Sequence, residues 1–285
     1  MNAEPASTPK WSKDFMSTLH RATPAHDPTH PLAITFQSFT AIPQLVHAVF
    51  ERHGGVSRPP YASLNAAWTN GDQESNVRQN LERVKEALGL EDLVAAPQVH
   101  GDTIVVIEQV TLPPLDPYLR VRVTPPADAL VTRLHGVGLM IKVADCQAVF
   151  LVDPLRQVVA NVHCGWRGSI QGILGKVVRL LHERFQSHPT NLLATISPSL
   201  GPCCAEFRNF PQELPESFLP FKLGDNHFDF WAISRWQLQR AGLLPEHIET
   251  AGQCTVCGVD RFFSYRAEKA TGRMAAVVGW KGSEQ

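Results

Sequence analysis

Three residues of types that bind transition metals stand out in this sequence: His100, Cys146 and His163. Each lies at the end of a predicted strand, near a glycine or an aspartate. Neutral imidazole and thiolate are nitrogen and sulfur ligands that zinc and copper prefer, and three protein ligands leave a fourth position open for water or substrate. An open position of this kind is typical of a catalytic metal site, where a bound water would have its pKa lowered towards neutrality.

Two other interpretations of the same residues stay open. Their separations along the chain match no zinc-finger spacing, so the histidines could be ordinary surface or core residues and Cys146 an inert buried thiol. Cys146 could also act without a metal, as a nucleophile with His163 as its base. That arrangement would make the protein a thiol hydrolase.

The other cysteines offer a competing metal site. Cys254 and Cys257 are spaced as half of a structural zinc site, and Cys203 and Cys204 are possible partners. Adjacent cysteines rarely chelate one ion together, and the chain has no second Cys-x-x-Cys. The sequence therefore favours free thiols over a structural zinc at these four positions.

Three short apolar runs must position the thiol and one of the imidazoles. They cover residues 138–143, 148–152 and 158–162, are rich in valine, and are separated by Asp, Pro and polar residues. Runs of this length and composition are typical of buried strands. Neighbouring strands here would deliver Cys146 and His163 to the same side of a sheet.

Further strands are predicted from shorter apolar runs. The strands of residues 93–99 and 103–107 are separated by His-Gly-Asp, which predicts a hairpin or a bulge with His100 at its tip. The other predicted strands cover residues 45–50, 192–196, 262–265 and 275–278.

Apolar residues at helical spacing predict three helices, over residues 77–88, 169–185 and 230–241. Ser75 is a possible cap for the first helix and Gly89 follows its last apolar position, while Asp229 is placed to cap the third. Helices and long connections interrupt the strands without a regular βαβ alternation. We therefore expect an α+β fold, a single domain with mixed β-sheets flanked by helices.

Composition bounds the class of protein. A chain of 285 residues with 44% apolar residues can bury a substantial core, and a net charge of −1 without charged blocks indicates neither nucleic acid nor a membrane as partner. No run of 18 apolar residues occurs and the N-terminal segment has no continuous apolar core, so we expect neither a transmembrane helix nor a secretory signal. The six cysteines suit reduced thiols in the cytoplasm. We expect residues 1–31 to form a mobile tail, residues 32–285 a single catalytic domain, and the protein a monomer or homodimer.

Several segments, in the same order, resemble the laccase-domain family, also called YfiH-like or polyphenol-oxidase-like. The segments are RHGGVS (52–57), PYASLN (60–65), PQVHGD (97–102), DALVT (128–132), ADC (144–146), VHCGWRG (162–168), SPSLGPCC (197–204), FFSYR (262–266) and TGRMA (271–275). Several matches in register are far more specific than one. The resemblance implies a layered α/β/β/α catalytic domain with His100, Cys146 and His163 as catalytic metal ligands.

The same resemblance implies an activity. It points to a zinc-dependent purine nucleoside phosphorylase that acts on adenosine, inosine and methylthioadenosine, with an adenosine deaminase side activity. The alternatives are a copper polyphenol oxidase (laccase-like) and a Cys-His hydrolase acting in peptidoglycan precursor editing. Zn²⁺ is the expected cofactor, with Cu²⁺ possible, and a purine nucleoside and phosphate are the expected partners. Multicopper oxidation uses His-x-His pairs, and none occurs in this chain.

Three residues are candidates for binding substrate. Arg52, next to a Gly-Gly turn, could hold phosphate with its guanidinium fork or form a surface salt bridge. Asn65 could bind a base or ribose, or form a turn, and Arg167 could bind an anion or brace its loop. Asp145 is expected to support the site rather than bind metal. Cys164 replaces the alanine usual in the family, and we expect it to fill that small space rather than compete for the metal.

Overall fold

The structure is a computed structural model that describes Arg21–Ala22, residues 31–111 and residues 121–282. Most of the predicted mobile tail, residues 1–31, lies outside these described residues. Arg21–Ala22 pair antiparallel with Ala33–Ile34. Among the described helices, none is both long and apolar enough to cross a membrane.

The strands alternate irregularly with helices along the chain. They are β1 (Arg21–Ala22), β2 (Ala33–Ile34), β3 (Leu45–Phe50), β4 (Asp92–Ala95), β5 (Ile104–Ile107), β6 (Val121–Val123), β7 (Ala129–Thr132), β8 (Val137–Val143), β9 (Gln147–Asp153), β10 (Val158–Cys164), β11 (Leu193–Ile196), β12 (Lys222–Leu223), β13 (His227–Phe228), β14 (Ile248–Thr250) and β15 (Met274–Trp280). The three apolar runs predicted around the candidate ligands are confirmed as β8, β9 and β10.

The strands form two large mixed sheets. The first has the order β1-β2-β3-β15-β8-β4-β6, and the second has the order β14-β11-β9-β10-β7-β5. Most pairs are antiparallel, whereas β4 runs parallel to both of its neighbours, β5 runs parallel to β7 and β11 runs parallel to β14. A short ribbon of β12 and β13 stands apart. The predicted α+β class with mixed sheets is therefore confirmed.

The two sheets pack face to face over an apolar core. Side chains of β10 alternate, so that Val159 packs between the sheets while Ala160 packs against helices on the other face. Buried Asn161 also faces the first sheet, where its amide group donates 2.9 Å hydrogen bonds to the carbonyl oxygens of Leu139 and Ala276. His163, two residues further on, therefore points towards the same inter-sheet side.

The helices are α1 (Gln37–Thr40), α2 (Glu74–Leu88), α3 (Trp166–Ile170), α4 (Ile173–Phe185), α5 (Phe210–Glu213), α6 (Phe230–Arg240) and α7 (Tyr265–Glu268). The longer ones cover the outer faces of the two sheets. The apolar stripe of α2, formed by Val77, Leu81 and Val84, packs on β3, β4, β8 and β15. The stripe of α4 packs with α6 on the second sheet. This stacking gives the layered α/β/β/α order that the family resemblance implies.

Two predicted helix boundaries need correction. The helix expected over residues 169–185 is two helices, because Gly172 takes a left-handed conformation (φ 69°) between α3 and α4. Ser75 lies inside α2, which starts at Glu74, so Ser75 is not its cap. Gly89 ends α2 in the left-handed conformation, and Asp229 caps α6 by accepting from the amide of Ala232, both as predicted.

Two strand predictions were wrong. Residues 93–99 and 103–107 do not form a hairpin, because β4 belongs to the first sheet and β5 to the second. His100 lies in the segment that crosses between the sheets. Residues 262–265 form no strand, since the chain there leads into the short helix α7, capped by the Ser264 hydroxyl.

Candidate metal centre

The fold brings the three predicted ligands together. The ligand atoms of His100, Cys146 and His163 lie within 4.8 Å of one another, and the two imidazole rings meet edge to face with centroids 4.8 Å apart. His100 comes from the β4–β5 crossing and Cys146 from the β8–β9 crossing, whereas His163 is near the end of β10. Because His163 pairs with Ala148 on β9, the imidazole stands beside the thiol that precedes β9.

One carboxylate supports two of these ligands. Asp128, buried immediately before β7, accepts a hydrogen bond from Nδ1 of His163 at 2.7 Å. The same carboxylate accepts from the backbone amides of Val99, His100 and Gly101 at 3.3, 3.0 and 2.7 Å. Asp128 therefore fixes the loop that carries His100 and leaves Nε2 of His163 as the nitrogen that would bind a metal once the ring loses its second proton.

The backbone around the ligands is held in an unusual conformation. His100 and Asp145 both have positive φ values, 60° and 88°, which non-glycine residues seldom adopt. Asp145 is secured because its carboxylate accepts from the hydroxyls of Thr255 and Ser264 at 2.6 and 2.7 Å and from the amide of Arg266 at 2.6 Å. These contacts agree with the supporting role predicted for Asp145, which sets the position of Cys146.

A glycine leaves room for the thiol. A Cβ atom built on Gly165 would lie 2.9 Å from the Sγ of Cys146 and 3.5 Å from Cδ2 of His100. At that separation, a side chain at position 165 would force the Cys146 sulfur to move. The glycine that follows the His163-Cys164 pair is thus a steric requirement of the cluster.

The electrostatics favour a thiolate in the cluster. Burial opposes ionisation of Cys146, but the charge of His163 and hydrogen bonds from His100 and His163 outweigh it and lower the pKa of the thiol to about 6. Burial alone would lower the pKa of His163, yet Cys146 and Asp128 raise it to about 9. The residues therefore form an ion pair that a divalent cation can replace by displacing the imidazolium proton.

These residues fit a zinc ion. Two imidazole nitrogens and one thiolate sulfur are donor types of catalytic zinc sites. The hydrogen bond between Nδ1 of His163 and the Asp128 carboxylate is the supporting contact that such histidines usually make. Cys164 is not part of this donor set. It follows His163 on β10, so its side chain points to the opposite face, where it is buried and contacts the Ser169 hydroxyl at 3.3 Å.

The cluster opens into a cavity of about 900 Å³. Basic and aromatic side chains share its wall with the cluster, so charged and planar parts of a ligand both find complementary groups there. The basic residues are Lys142, Arg167, Arg266, Lys269 and Arg273, and the aromatic residues are Tyr61, Trp68, Trp166, Phe207, Phe230 and Tyr265.

Arg52, predicted to hold phosphate or to form a salt bridge, does not line this cavity, and its guanidinium is engaged elsewhere. Its guanidinium donates to the carbonyl oxygens of Ala62 and Val259 at 3.1 and 2.6 Å and pairs with Glu268 at 3.1 Å. The neighbouring Gly55 amide is also used, because it donates to the Ser63 hydroxyl at 3.1 Å. Arg52 is an internal brace between distant segments.

Asn65 is likewise a structural residue. It is fully buried, and its side chain both donates to the carbonyl oxygen of Ala67 at 3.1 Å and accepts from the amide of Ala67 at 3.0 Å. Its side-chain oxygen also accepts from the amide of Arg273 at 2.9 Å. These contacts fit the turn-forming alternative for Asn65, whose side chain is not part of the cavity wall. Arg167 lines the cavity, with its guanidinium carbon 4.4 Å from the centre of the Trp166 ring.

Sequence reasoning missed three residues of the site. Asp128 was visible only as the first residue of the DALVT segment, and Lys142 only as a charge inside an apolar run. Arg273 lay in the TGRMA segment. A charged residue within or at the start of a buried strand is a usable signal, because burying a charge requires a specific partner. Lys142 has such a partner, since its ammonium donates to the carbonyl oxygen of Ala96 at 3.0 Å and lies 3.8 Å from the centre of the Trp68 ring.

Comparison with known proteins places the chain in a family. A family model described as "Multi-copper polyphenol oxidoreductase laccase" matches residues 46–281. The chain belongs to this family. Both large sheets and the candidate metal centre of this laccase-family chain fall largely within the matched residues.

Similar proteins carry a different activity in their names. Purine nucleoside phosphorylase YlmD of Geobacillus stearothermophilus is 36% identical over 242 residues, which cover 80% of this chain and 87% of the relative. Purine nucleoside phosphorylase YfiH of Escherichia coli K12 is 32% identical over 238 residues, covering 80% and 90%. The crystal structure of YlmD from Geobacillus stearothermophilus matches with a TM-score of 0.79 and 30% identity over 93% of this chain and 100% of that chain.

Proposed function

We propose that this laccase-family chain is a zinc-dependent purine nucleoside phosphorylase. The observation that carries the proposal is a two-imidazole, one-thiolate cluster in the wall of a 900 Å³ cavity that also presents basic and aromatic side chains. Small-molecule sites are commonly about 300–1,000 Å³, so a nucleoside and phosphate fit together in this space. The names of the relatives support the same assignment.

Phosphate needs cations in the cavity wall. Arg167 and Lys269 line the cavity, and the contacts of their charged groups among the described residues are with the rings of Trp166 and Tyr265. These two groups are therefore free to donate to phosphate oxygens. Arg273 also lines the cavity; burial lowers the pKa of its guanidinium, and the charge of Cys146 partly offsets this shift.

The aromatic side of the cavity suits a purine ring. Trp166 and Phe207 meet edge to face with centroids 6.2 Å apart, and Phe207 lies 5.1 Å from Phe230. These rings line the cavity beside the segment that follows His163. A base stacked on Trp166 would gain roughly 1–3 kcal/mol, a range measured for nucleobases on aromatic side chains.

In phosphorolysis, a phosphate oxygen forms a bond to C1′ of the ribose while the N-glycosidic bond breaks and its electron pair passes to the purine. The arginines would orient the phosphate for this attack and offset its charge. Burial lowers the pKa of Lys142 to about 7, so its ammonium can hold or release a proton near neutral pH as the base departs. Zinc held by His100, Cys146 and His163 would supply Lewis acidity towards a substrate oxygen.

The proposal extends to adenosine, inosine and methylthioadenosine as substrates, with adenosine deamination as a side activity. Zinc is the proposed metal because the donor set matches catalytic zinc sites, with copper as the alternative that metal analysis would reveal. Free thiols at all six cysteines support a reducing, cytoplasmic setting. The proposed catalytic domain remains residues 32–285, and a monomer or homodimer remains the prediction for assembly.

The test is incubation of adenosine with and without phosphate, with chromatographic identification of products. Phosphate-dependent release of adenine and ribose 1-phosphate is the expected result, and inosine would reveal the deaminase activity. His100→Ala should abolish phosphorolysis, whereas His135→Ala, at an exposed histidine outside the cavity, should retain it. Absence of both products with zinc-loaded protein would overturn the proposal.

A metal-free thiol hydrolase is the second candidate. The observation in its favour is that Asp128 orients His163, which in turn stabilises the Cys146 thiolate, as in a Cys-His-Asp triad. Its peptidoglycan-editing form would hydrolyse a precursor peptide through Cys146. Chelator treatment separates the two candidates, because it should abolish the phosphorylase and leave the hydrolase active.

A further inference from the structure

Four cysteines outside the candidate active centre form a second cluster. The Sγ atoms of Cys203, Cys204, Cys254 and Cys257 all lie within 4.8 Å of one another. The Sγ of Cys257 is 3.5 Å from that of Cys203 and 3.6 Å from that of Cys204. In a tetrahedral zinc site with Zn–S bonds of about 2.3 Å, sulfur atoms lie about 3.8 Å apart, so these separations are close to those of a tetrathiolate site.

Two turns bring the thiols together despite their unfavourable spacing in sequence. In one turn, the amide of Cys204 donates to the carbonyl oxygen of Gly201 at 2.9 Å, and in the other the amide of Gly258 donates to that of Cys254 at 2.9 Å. A parallel bridge between Ser199 and Cys254 holds the turns side by side. Tight turning lets the adjacent Cys203 and Cys204 face one centre, although adjacent cysteines rarely bind one ion together.

The surroundings of the cluster suit negative sulfur. Backbone amides point at Cys254, with the amide of Gly201 donating to its Sγ at 3.3 Å. The backbone amides of Val256 and Cys257 also donate to this sulfur. A cation held by the four sulfur atoms would stabilise all of them as thiolates.

We propose that Cys203, Cys204, Cys254 and Cys257 bind a second Zn²⁺ ion in a structural tetrathiolate site. A tetrathiolate shell is closed, so the ion would take no substrate. The short sulfur separations suit one ion better than an iron–sulfur cluster, whose cysteines bind different iron atoms and lie farther apart. A disulfide would use only two of the four thiols, and all four are free.

The site would brace one wall of the active cavity. The two cysteine turns each contact Asp145, which precedes the proposed ligand Cys146. The amide of Leu200 donates to the carbonyl oxygen of Asp145 at 2.8 Å, and the hydroxyl of Thr255 donates to its carboxylate at 2.6 Å. An ion joining the turns would therefore limit movement of Asp145 and of Leu200, which lines the cavity.

Counting metal ions tests the proposal. The full-length protein is purified without chelator, under reducing conditions, from zinc-supplemented cells. It should contain two zinc ions per chain, as measured by inductively coupled plasma mass spectrometry. The double variant Cys254→Ser/Cys257→Ser should contain one, and so should His100→Ala/His163→Ala. Cys164→Ala is the matched control, because its thiol belongs to neither cluster, and it should retain two.

X-ray absorption at the zinc edge of His100→Ala/His163→Ala gives a readout that does not depend on activity or on folding of the cysteine variant. Four sulfur neighbours at about 2.3 Å are expected. A single zinc in the wild-type protein that is lost with the histidines, or a residual ion with nitrogen or oxygen neighbours, would overturn the second site. Neither result depends on phosphorolysis, so failure of the second zinc site can be distinguished from failure of the proposed enzyme activity.

Discussion

Asp128 and His163 are joined by two hydrogen bonds of 2.7 Å, one from the His163 amide to the Asp128 carbonyl oxygen and one from Nδ1 to the carboxylate. The backbone bond continues the pairing of β7 with β10. Strand pairing therefore places the carboxylate where the imidazole needs a partner, and the orientation of the proposed ligand follows from the sheet itself.

Asp128→Asn should weaken zinc binding at the active centre by about 10–100-fold, the usual effect of losing a partner of a metal-bound histidine. The amide keeps its shape but loses the charge that stabilises the imidazole ring. Competition with a chromophoric chelator measures the affinity. Asp153→Asn is the control, since Asp153 is equally buried but accepts from turn amides far from the centre. Unchanged zinc affinity in Asp128→Asn would contradict the prediction.

Gly165→Ala should lose metal at the active centre while the protein stays folded. The new Cβ would lie 2.9 Å from the Cys146 sulfur, so the thiol must move away from the two imidazoles. Zinc content and circular dichroism measure the two effects. Gly175→Ala is the matched control, because a Cβ atom placed there would meet no atom within 4 Å and α4 should gain stability from alanine. Full zinc content in Gly165→Ala would show that the cluster tolerates the side chain.

Arg52→Gln should destabilise the fold by about 2–4 kcal/mol without changing the phosphate KM. The substitution removes a guanidinium that holds two carbonyl oxygens and Glu268, none of which belongs to the cavity. Urea unfolding and phosphate titration of the reaction measure these quantities. Arg156→Gln, at an exposed arginine, should stay within about 0.5 kcal/mol of the wild type. A large rise in phosphate KM for Arg52→Gln would restore the binding role.

Lys142 should make stability depend on pH. Burial lowers its pKa to about 7 from an ordinary value of 10.5, so between these values the unfolded chain binds the proton and the folded chain does not. Raising the pH through this window stabilises the fold, and the cost of burying the ammonium is fully present below pH 7. The gain in urea midpoint from pH 6.5 to 9 should therefore be smaller in Lys142→Met than in the wild type.

The control for this comparison is Lys269→Met, because Lys269 lines the same cavity but is exposed. Its pH profile should follow that of the wild type. Parallel profiles for Lys142→Met and the wild type would mean that Lys142 keeps its proton across this range.

Long periodic or apolar segments made much of the fold predictable. Strands β8, β9 and β10 and helix α2 each carry enough regularly spaced apolar residues to distinguish a strand from a helix. Their predicted boundaries lie within a few residues of the observed ones. The sheet crossing at His100 was not predictable, because a short polar segment between two strands normally makes a hairpin. Nothing local in the sequence reveals that the next strand joins another sheet.

The same distinction applies to the residues of the site. His100, Cys146 and His163 were predictable from residue type and family resemblance, since their chemistry is visible in a single position. The contacts of Arg52 and Asn65 were not predictable, because they involve distant backbone atoms that become neighbours only in the fold. The four-cysteine cluster was undervalued for the same reason, as its geometry comes from two turns rather than from spacing.

The two crossings that carry His100 and Cys146 each lead from one sheet to the other, and His163 completes the cluster from the second sheet. An ion bound by all three residues would link the two sheets. The affinity for the metal should consequently depend on how the two sheets are aligned. Core substitutions far from the cavity that let the sheets shift should lower this affinity before they have other effects.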